Sequence, residues 1–338
     1  MRWRVPFVFV FLFCLAGCWR SSPHEVVVYS ALDAEFSEPV LDAYQRDHRV
    51  AVRPNFDVES TKTVGLVTRL IRERDRPRCD VFWNNEILHT LRLQRLGVLS
   101  AYKSPRGNAL PSAYRSAHGY WHGFAARARV LIVNTRRIPA DRRPGSIEDL
   151  ILPEWKDQVG IAKPLFGTTA THAAVLFAHW GEARATSFFA QVKAHCRVLS
   201  GNRQVARAVG RGTLAFGLTD TDDAILEKEH GRPVEIVYPD QQDGGMGTLF
   251  IPNTVCIIKG CPHPQEARRL VDYLLSPSVE TALARGPSAQ FPVNPNVSQT
   301  SRVAPAAKVR WMDVDFEAAA DHWATAARVL RDLFSATP

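Results

Sequence analysis

The stretch EVVVYSALDAEFSEPVLDAYQRDHRVAVRPNF, residues 25–56, decides the fold class. Glu25 to Ser30 is a β-branched run suited to a strand covered on both faces. Glu38 to Asp47 has helical spacing, and Val50 to Phe56 returns as a second strand. The alternation continues with Thr63 to Arg74, a helix whose Val64, Val67, Leu70 and Ile71 share one face. A strand at Cys79 to Trp83 follows, then a helix from Ile87 to a terminating Gly97. Strands alternating with helices predict an α/β sheet with crossover connections.

A second series starts at Arg127–Val133 and continues with Val159–Ala162, helices over Thr168–Trp180 and Arg184–Ala194, and a strand over Leu214–Leu218. Gly244, Gly245 and Gly247 interrupt it before a strand over Leu249–Ile258. Pro264 to Leu275 reads as an amphipathic helix, and Phe316 to Phe334 as the last one.

The chain opens MRWRVPFVFVFLFCLAGC, residues 1–18. Arg2 and Arg4 precede a dozen apolar residues, too few to span a hydrocarbon core of about 30 Å. A charged start, a short apolar run and small residues at its end mark a secretory signal. Leu15-Ala16-Gly17-Cys18 resembles a bacterial lipobox, which predicts acylation of Cys18 and an exported protein held to a membrane by lipid alone.

With 338 residues the chain suits two lobes, and 46% hydrophobic with 22% charged residues is globular composition. The net charge of +8 falls to +6 once Arg2 and Arg4 are cleaved off. The arginines are dispersed among acids, so no nucleic-acid partner is implied. Past the signal the cysteines are Cys79, Cys196, Cys256 and Cys261. Cys256 and Cys261 are spaced for a loop disulfide, Cys79 and Cys196 read as free buried thiols, and none has zinc spacing. His118 and His122, spaced i,i+4, read as ordinary histidines rather than a chelating pair.

No nucleophile elbow, zinc-protease or phosphate-loop signature is present. The densest polar feature is Thr219-Asp220-Thr221-Asp222-Asp223, directly after a strand, where ligands bind in open α/β sheets. Three carboxylates and two hydroxyls there suit a hard cation or an ammonium group, though Asp and Thr also cap helices. Gly167-Thr168-Thr169 opens a helix and suits an anion, with N-capping as the competing reading. Arg127 and Arg129 alternate on a strand and point the same way.

Residues 26–44 (VVVYSALDAEFSEPVLDAY), 79–87 (CDVFWNNEI), 128–138 (ARVLIVNTRRI), 201–218 (GNRQVARAVGRGTLAFGL), 247–276 (GTLFIPNTVCIIKGCPHPQEARRLVDYLLS) and 291–297 (FPVNPNV) together resemble the periplasmic ferric-iron-binding proteins of bacterial ABC transporters. The resemblance covers about residues 25–335. It implies a two-lobed type II periplasmic-binding-protein fold with a hinge and an interlobe cleft, not an enzyme. Residues 1–17 would then be the signal and 18–24 a tether. Residues 25–126 with 249–300 would form one lobe, and 127–248 with 301–338 the other. The implied partners are an ABC permease and ATPase, and the implied receptor is a monomer.

The resemblance also carries site residues. Gly167 and Thr168, with Thr169 beside them, match helix-start residues that hold a synergistic anion. Asn202 matches an asparagine of that pocket, and Arg127 a strand arginine. Thr221 and Asp222 stand where ferric-binding relatives have adjacent tyrosines, and Asp33 where some have a histidine. Asn84-Asn85-Glu86 surrounds the position of their glutamate ligand. Two ligand readings follow. Asp33, Glu86, Asp220 and Asp222 would form an all-oxygen site for Fe(III) with an exogenous anion. Alternatively these groups, with Ser30, Asn84, Thr219 and Asp223, would hold an organic solute such as a phosphonate, sugar phosphate, amine or thiamine-like compound. A secreted metal-dependent hydrolase is the remote alternative.

Overall fold

A computed structural model describes residues 24–57 and 63–335; the signal segment and Cys18 lie outside them. In chain order the elements are β1 (Glu25–Ser30), α1 (Ala34–His48), β2 (Ala51–Phe56), α2 (Val64–Arg72), β3 (Val81–Asn84), α3 (Leu88–Arg95) and β4 (Leu99–Ser100). Then come β5 (His122–Asn134), β6 (Val159–Ala162), α4 (Gly167–Trp180), α5 (Glu182–His195), β7 (Arg197–Leu199), α6 (Asn202–Gly210), β8 (Phe216–Asp220) and α7 (Thr221–Glu229). The chain finishes with β9 (Val234–Val237), β10 (Phe250–Ile258), α8 (Pro264–Leu274), α9 (Pro277–Arg285) and α10 (Phe316–Phe334).

The strands run in the order β2-β1-β3-β10-β5-β8-β6-β7, with β4 beside β10 and β9 beside β5. β1 is parallel to β2 and β3, and β6 is parallel to β7 and β8. The two parallel groups meet through β10 and β5, which pair antiparallel with each other. β5 is the shared strand: its first half pairs with β10 over His122–Ala128, and its second with β8 over Arg129–Val133. All thirteen of its residues are buried, which explains why it outruns the apolar stretch Arg127–Val133 read from sequence. At the Pro252/Asn253 bulge of β10, Asn253 turns its amide onto the Ala125 carbonyl and accepts from Arg127 Nη2 at 3.3 Å. Glu280 pins the same crossing, accepting from the amides of Ala125, Val293 and Asn294 at 2.6, 3.0 and 2.9 Å. α10 lies against α3, α4 and α5 and so braces both halves.

Several expectations need correction. α1 begins at Ala34, not Glu38: buried Phe36, Val40, Leu41 and Tyr44 carry the helix through Pro39. β8 extends past Leu218 to Asp220, so Thr219 and Asp220 are strand residues. His118 and His122, read as ordinary histidines rather than a chelating pair, indeed share no helix, because His122 opens β5. All four thiols of the described residues are free, and the Cys256–Cys261 bridge is absent. No helix among the described residues is long and apolar enough to cross a membrane.

Candidate functional site

The carboxyl ends of β6 and β8 and the first turns of α4, α6 and α7 converge on one polar cavity of about 40 Å³. Asp33 and Asn85 line it from the β1/β3 half. Lys163, Phe166–Thr169, Ser200–Asn202, Asp220, Asp222 and Asp223 line it from the other, and Arg127 reaches in from the shared strand. Gly167 has a left-handed φ of +55° with open space beside its Cα, which lets the chain enter α4 at the cavity wall. The N-cap residues of α4, α6 and α7 make no side-chain cap bond, so Thr168 and Thr169 do not cap α4; in α7 the first-turn acids remain, with Asp222 Oδ1 accepting from the Asp223 amide at 3.1 Å.

Asp220, Asp222 and Asp223 each place a carboxylate oxygen within 4.8 Å of the others. Each also meets an arginine. Arg129 Nη1 donates to Asp220 at 2.6 Å, Arg127 Nη1 lies 3.3 Å from Asp222, and Arg203 Nε lies 3.3 Å from Asp223. Burial alone would lower the Arg127 pKa, but the charges of Asp222, Asp220, Asp33 and Asp223 outweigh it and hold it above the ordinary arginine value. The guanidinium thus sits where a bound cation would feel those four acids.

The residues matched to an anion pocket also assemble, around an internal group. Asp220 Oδ2 accepts from Thr168 Oγ1 at 2.6 Å and from Asn202 Nδ2 at 2.9 Å. Thr169 Oγ1 bonds Asn202 at 3.1 Å.

Among the described residues, no tyrosine, histidine or cysteine lines this cavity. A wider groove of about 740 Å³ lies between α3, α4 and the start of α10, and none of the residues expected from sequence line it.

A family model described as bacterial extracellular solute-binding protein matches residues 90–319, about two thirds of the chain. The chain belongs to the bacterial extracellular solute-binding proteins. The major ferric iron-binding protein of Neisseria meningitidis is 24% identical over 297 residues, covering 84% of this chain and 86% of its own. Iron-bound HitA from Pseudomonas aeruginosa superposes with a TM-score of 0.81 at 22% identity, over 92% of this chain and 100% of its own. AfuA from Actinobacillus pleuropneumoniae, solved with exogenous fructose-6-phosphate, gives 0.81 at 23% identity, over 93% of this chain and 99% of its own. These structural likenesses show the two-lobed fold. The ferric-binding resemblance read from sequence is matched by the relatives found.

Of the residues singled out from sequence, this solute-binding protein brings Asp33, Arg127, Gly167, Thr168, Thr169, Asn202, Asp220, Asp222 and Asp223 to the cavity. Five others do not line it. Ser30 is fully buried and donates to the Leu32 carbonyl at 3.1 Å. Thr219 Oγ1 bonds the Asn202 carbonyl, and Thr221 Oγ1 accepts from the Ala128 amide at 3.2 Å. Asn84 donates to Glu86 at 2.8 Å. Glu86 is fully buried and accepts from the amides of Leu88 and His89 and from Thr171 Oγ1 at 2.9 Å. Burial pushes its carboxyl up, but the His89 charge and the bonds from His89, Asn84 and Thr171 hold it below the usual range. That carboxylate is committed to structure, so the four-acid metal set is not assembled.

Sequence reasoning left Lys163 and Arg203 out of the site. It paired Arg129 with Arg127 by their alternation, as a candidate cationic complement to an anion, and met Asn85 only within the Asn84–Glu86 segment. Nothing marked Arg203, whose partners lie 20 and 168 positions away.

Proposed function

We propose that this protein is the solute-capturing component of an ABC importer and that its solute is a small organic zwitterion. Such a compound carries an ammonium group and a phosphate, phosphonate or carboxylate. One observation carries this reading: Asp220, Asp222 and Asp223 are matched by Arg129, Arg127 and Arg203. A charge-balanced cavity favours a charge-balanced ligand, whereas a bare trivalent ion beside two buried guanidiniums would meet strong repulsion. The anionic end would face Lys163 and the start of α4, and the ammonium would face Asp33, Asp222 and Asp223. At about 10–15 Å³ per water-sized group, 40 Å³ holds only a few such groups, so loading requires the halves to part.

The second reading is Fe(III). It is supported by the three carboxylate oxygens within 4.8 Å, by the ion-sized cavity and by the ferric-binding relatives. Calorimetry with 2-aminoethylphosphonate and with ferric citrate separates the two, alongside mass spectrometry and metal analysis of the purified protein. Affinity for the aminophosphonate below about 10 μM, weakened by Asp222→Asn, supports the zwitterion. One iron per chain, lost in Asp222→Asn, overturns it in favour of the metal.

The lobes are proposed to divide at residues 126/127, 248/249 and 300/301, the first of these lying two residues before β5 changes partner between Ala128 and Arg129. The lipid anchor at Cys18 is proposed from the lipobox; Cys18→Ser should move the protein from the membrane fraction to the soluble one.

A further inference from the structure

We propose that Asp220 is a built-in anion. Its carboxylate fills an anion cradle formed by the rest of the chain, which excludes free small anions while it is present and binds one when it is removed. The cradle is made of three elements. Arg129 comes from β5 and is fully buried, Thr168 from the first turn of α4, and Asn202 from the first position of α6.

Their donors converge on both carboxylate oxygens: a guanidinium N–H at 2.6 Å on one, and a hydroxyl at 2.6 Å and an amide at 2.9 Å on the other. Such charge-assisted bonds at uncapped helix N-termini are how proteins bind free carboxylates and phosphates. The cradle is also braced without Asp220. Arg129 Nη1 donates to Asn202 Oδ1 at 3.1 Å, and Nη2 to Thr169 Oγ1 at 3.3 Å. Its Nε has no hydrogen-bond partner among the described residues. Asp220 stands at the N-cap position of α7, yet its side chain bonds none of that helix's amides. Its carboxylate serves the cradle instead.

The consequence concerns specificity. An anionic group of the solute has Lys163, the Gly167 turn and Arg127 to use rather than this cradle, and a cation would find its companion anion already supplied by the chain.

The test uses formate as probe and needs no knowledge of the transported solute, so its failure leaves the proposed function standing. Thermal midpoints of wild type, Asp220→Ala and Asp220→Asn are compared in sodium formate and in sodium chloride of equal ionic strength. Formate should raise the Asp220→Ala midpoint by about 5 °C or more. It should leave wild type unmoved, and also Asp220→Asn, whose amide still fills the space. An Asp220→Ala chain that folds only with formate supports the proposal equally. A response to formate no larger than that of wild type overturns it, as does a chain that stays unfolded in both salts.

Discussion

Arg203 and Asp33 meet beside the cavity that Asp33 lines, with Nη2 of the α6 arginine 3.6 Å from Oδ2 of the aspartate at the head of α1. The same guanidinium bonds Glu35 on α1 and reaches Asp223 on α7 at 3.3 Å. It therefore ties the two halves at the mouth of the site. Burial would lower its pKa, but the bond to Glu35 and the charges of Asp223, Glu35 and Asp33 raise it above the ordinary value. The side chain is 26% exposed, so solvent screens these pairs and the tie can break. A link of that strength suits a cleft that must reopen.

Replacing Arg203 with Gln removes the tie while keeping a polar side chain. Solute affinity should weaken about 3- to 10-fold, mainly through faster release. The radius of gyration from X-ray scattering should increase in the free protein, because the open population gains. Unchanged scattering and unchanged dissociation would show that the contact does not hold the halves together.

The pair formed by Arg129 and Asp220 is of another kind, since both partners are at most 2% exposed. Arg129→Met leaves a buried carboxylate without its cation, which should cost about 3–5 kcal/mol in urea denaturation. Adding Asp220→Leu to that variant should recover part of the loss, because an apolar pair needs no compensation. A double mutant less stable than Arg129→Met alone would mean the carboxylate's hydroxyl and amide partners matter more than its charge.

Acid should destabilise this fold through His122. Burial, aided by Arg115 and opposed by Asp272, lowers its pKa to about 4, against 6.5 when unfolded. The unfolded chain takes up the proton first, so this contribution is fully present above pH 6.5 and is lost as pH falls towards 4. The loss amounts to about 3 kcal/mol. His172 acts in the same sense, held neutral by burial and by Arg129. Glu280 and Asp240, whose carboxyls burial raises, act in the opposite sense. The measurement is therefore a difference: His122→Gln should flatten the stability slope between pH 6.5 and 4 by up to about 1.4 kcal/mol per unit.

The layered α/β framework was legible because buried strands and one-sided helices impose their periods on the sequence. β1, β6 and α10 run as read, down to their ends. The strands β4 and β7, of two and three residues, are too short to show a period, and β9 and α6 were not singled out although α6 buries Val205, Ala206 and Val209 on one face. At the site, chain position was legible and partnership was not. Thr168 and Asp220 could be placed near a ligand from their place after strands and before helices, and Asn202 only from the family resemblance. That Asp220 satisfies the other two is a contact between residues 52 and 18 positions apart, which no local pattern encodes.

Glu86 tests the boundary between ligand and scaffold. Its oxygens accept from two backbone amides, from Asn84 and His89, and from Thr171 on α4 across the halves. In Glu86→Gln one accepting oxygen becomes a donor facing donors, and the bond to His89 loses its charge. Stability should fall by about 1–3 kcal/mol. The carboxylate does not line the cavity, so in the folded variant solute affinity should change by less than about 3-fold. A metal ligand at this position would behave in the reverse way, with binding abolished and the fold little altered. Calorimetry and urea denaturation on one purified variant therefore distinguish the two roles. Loss of binding without loss of stability would return Glu86 to the site.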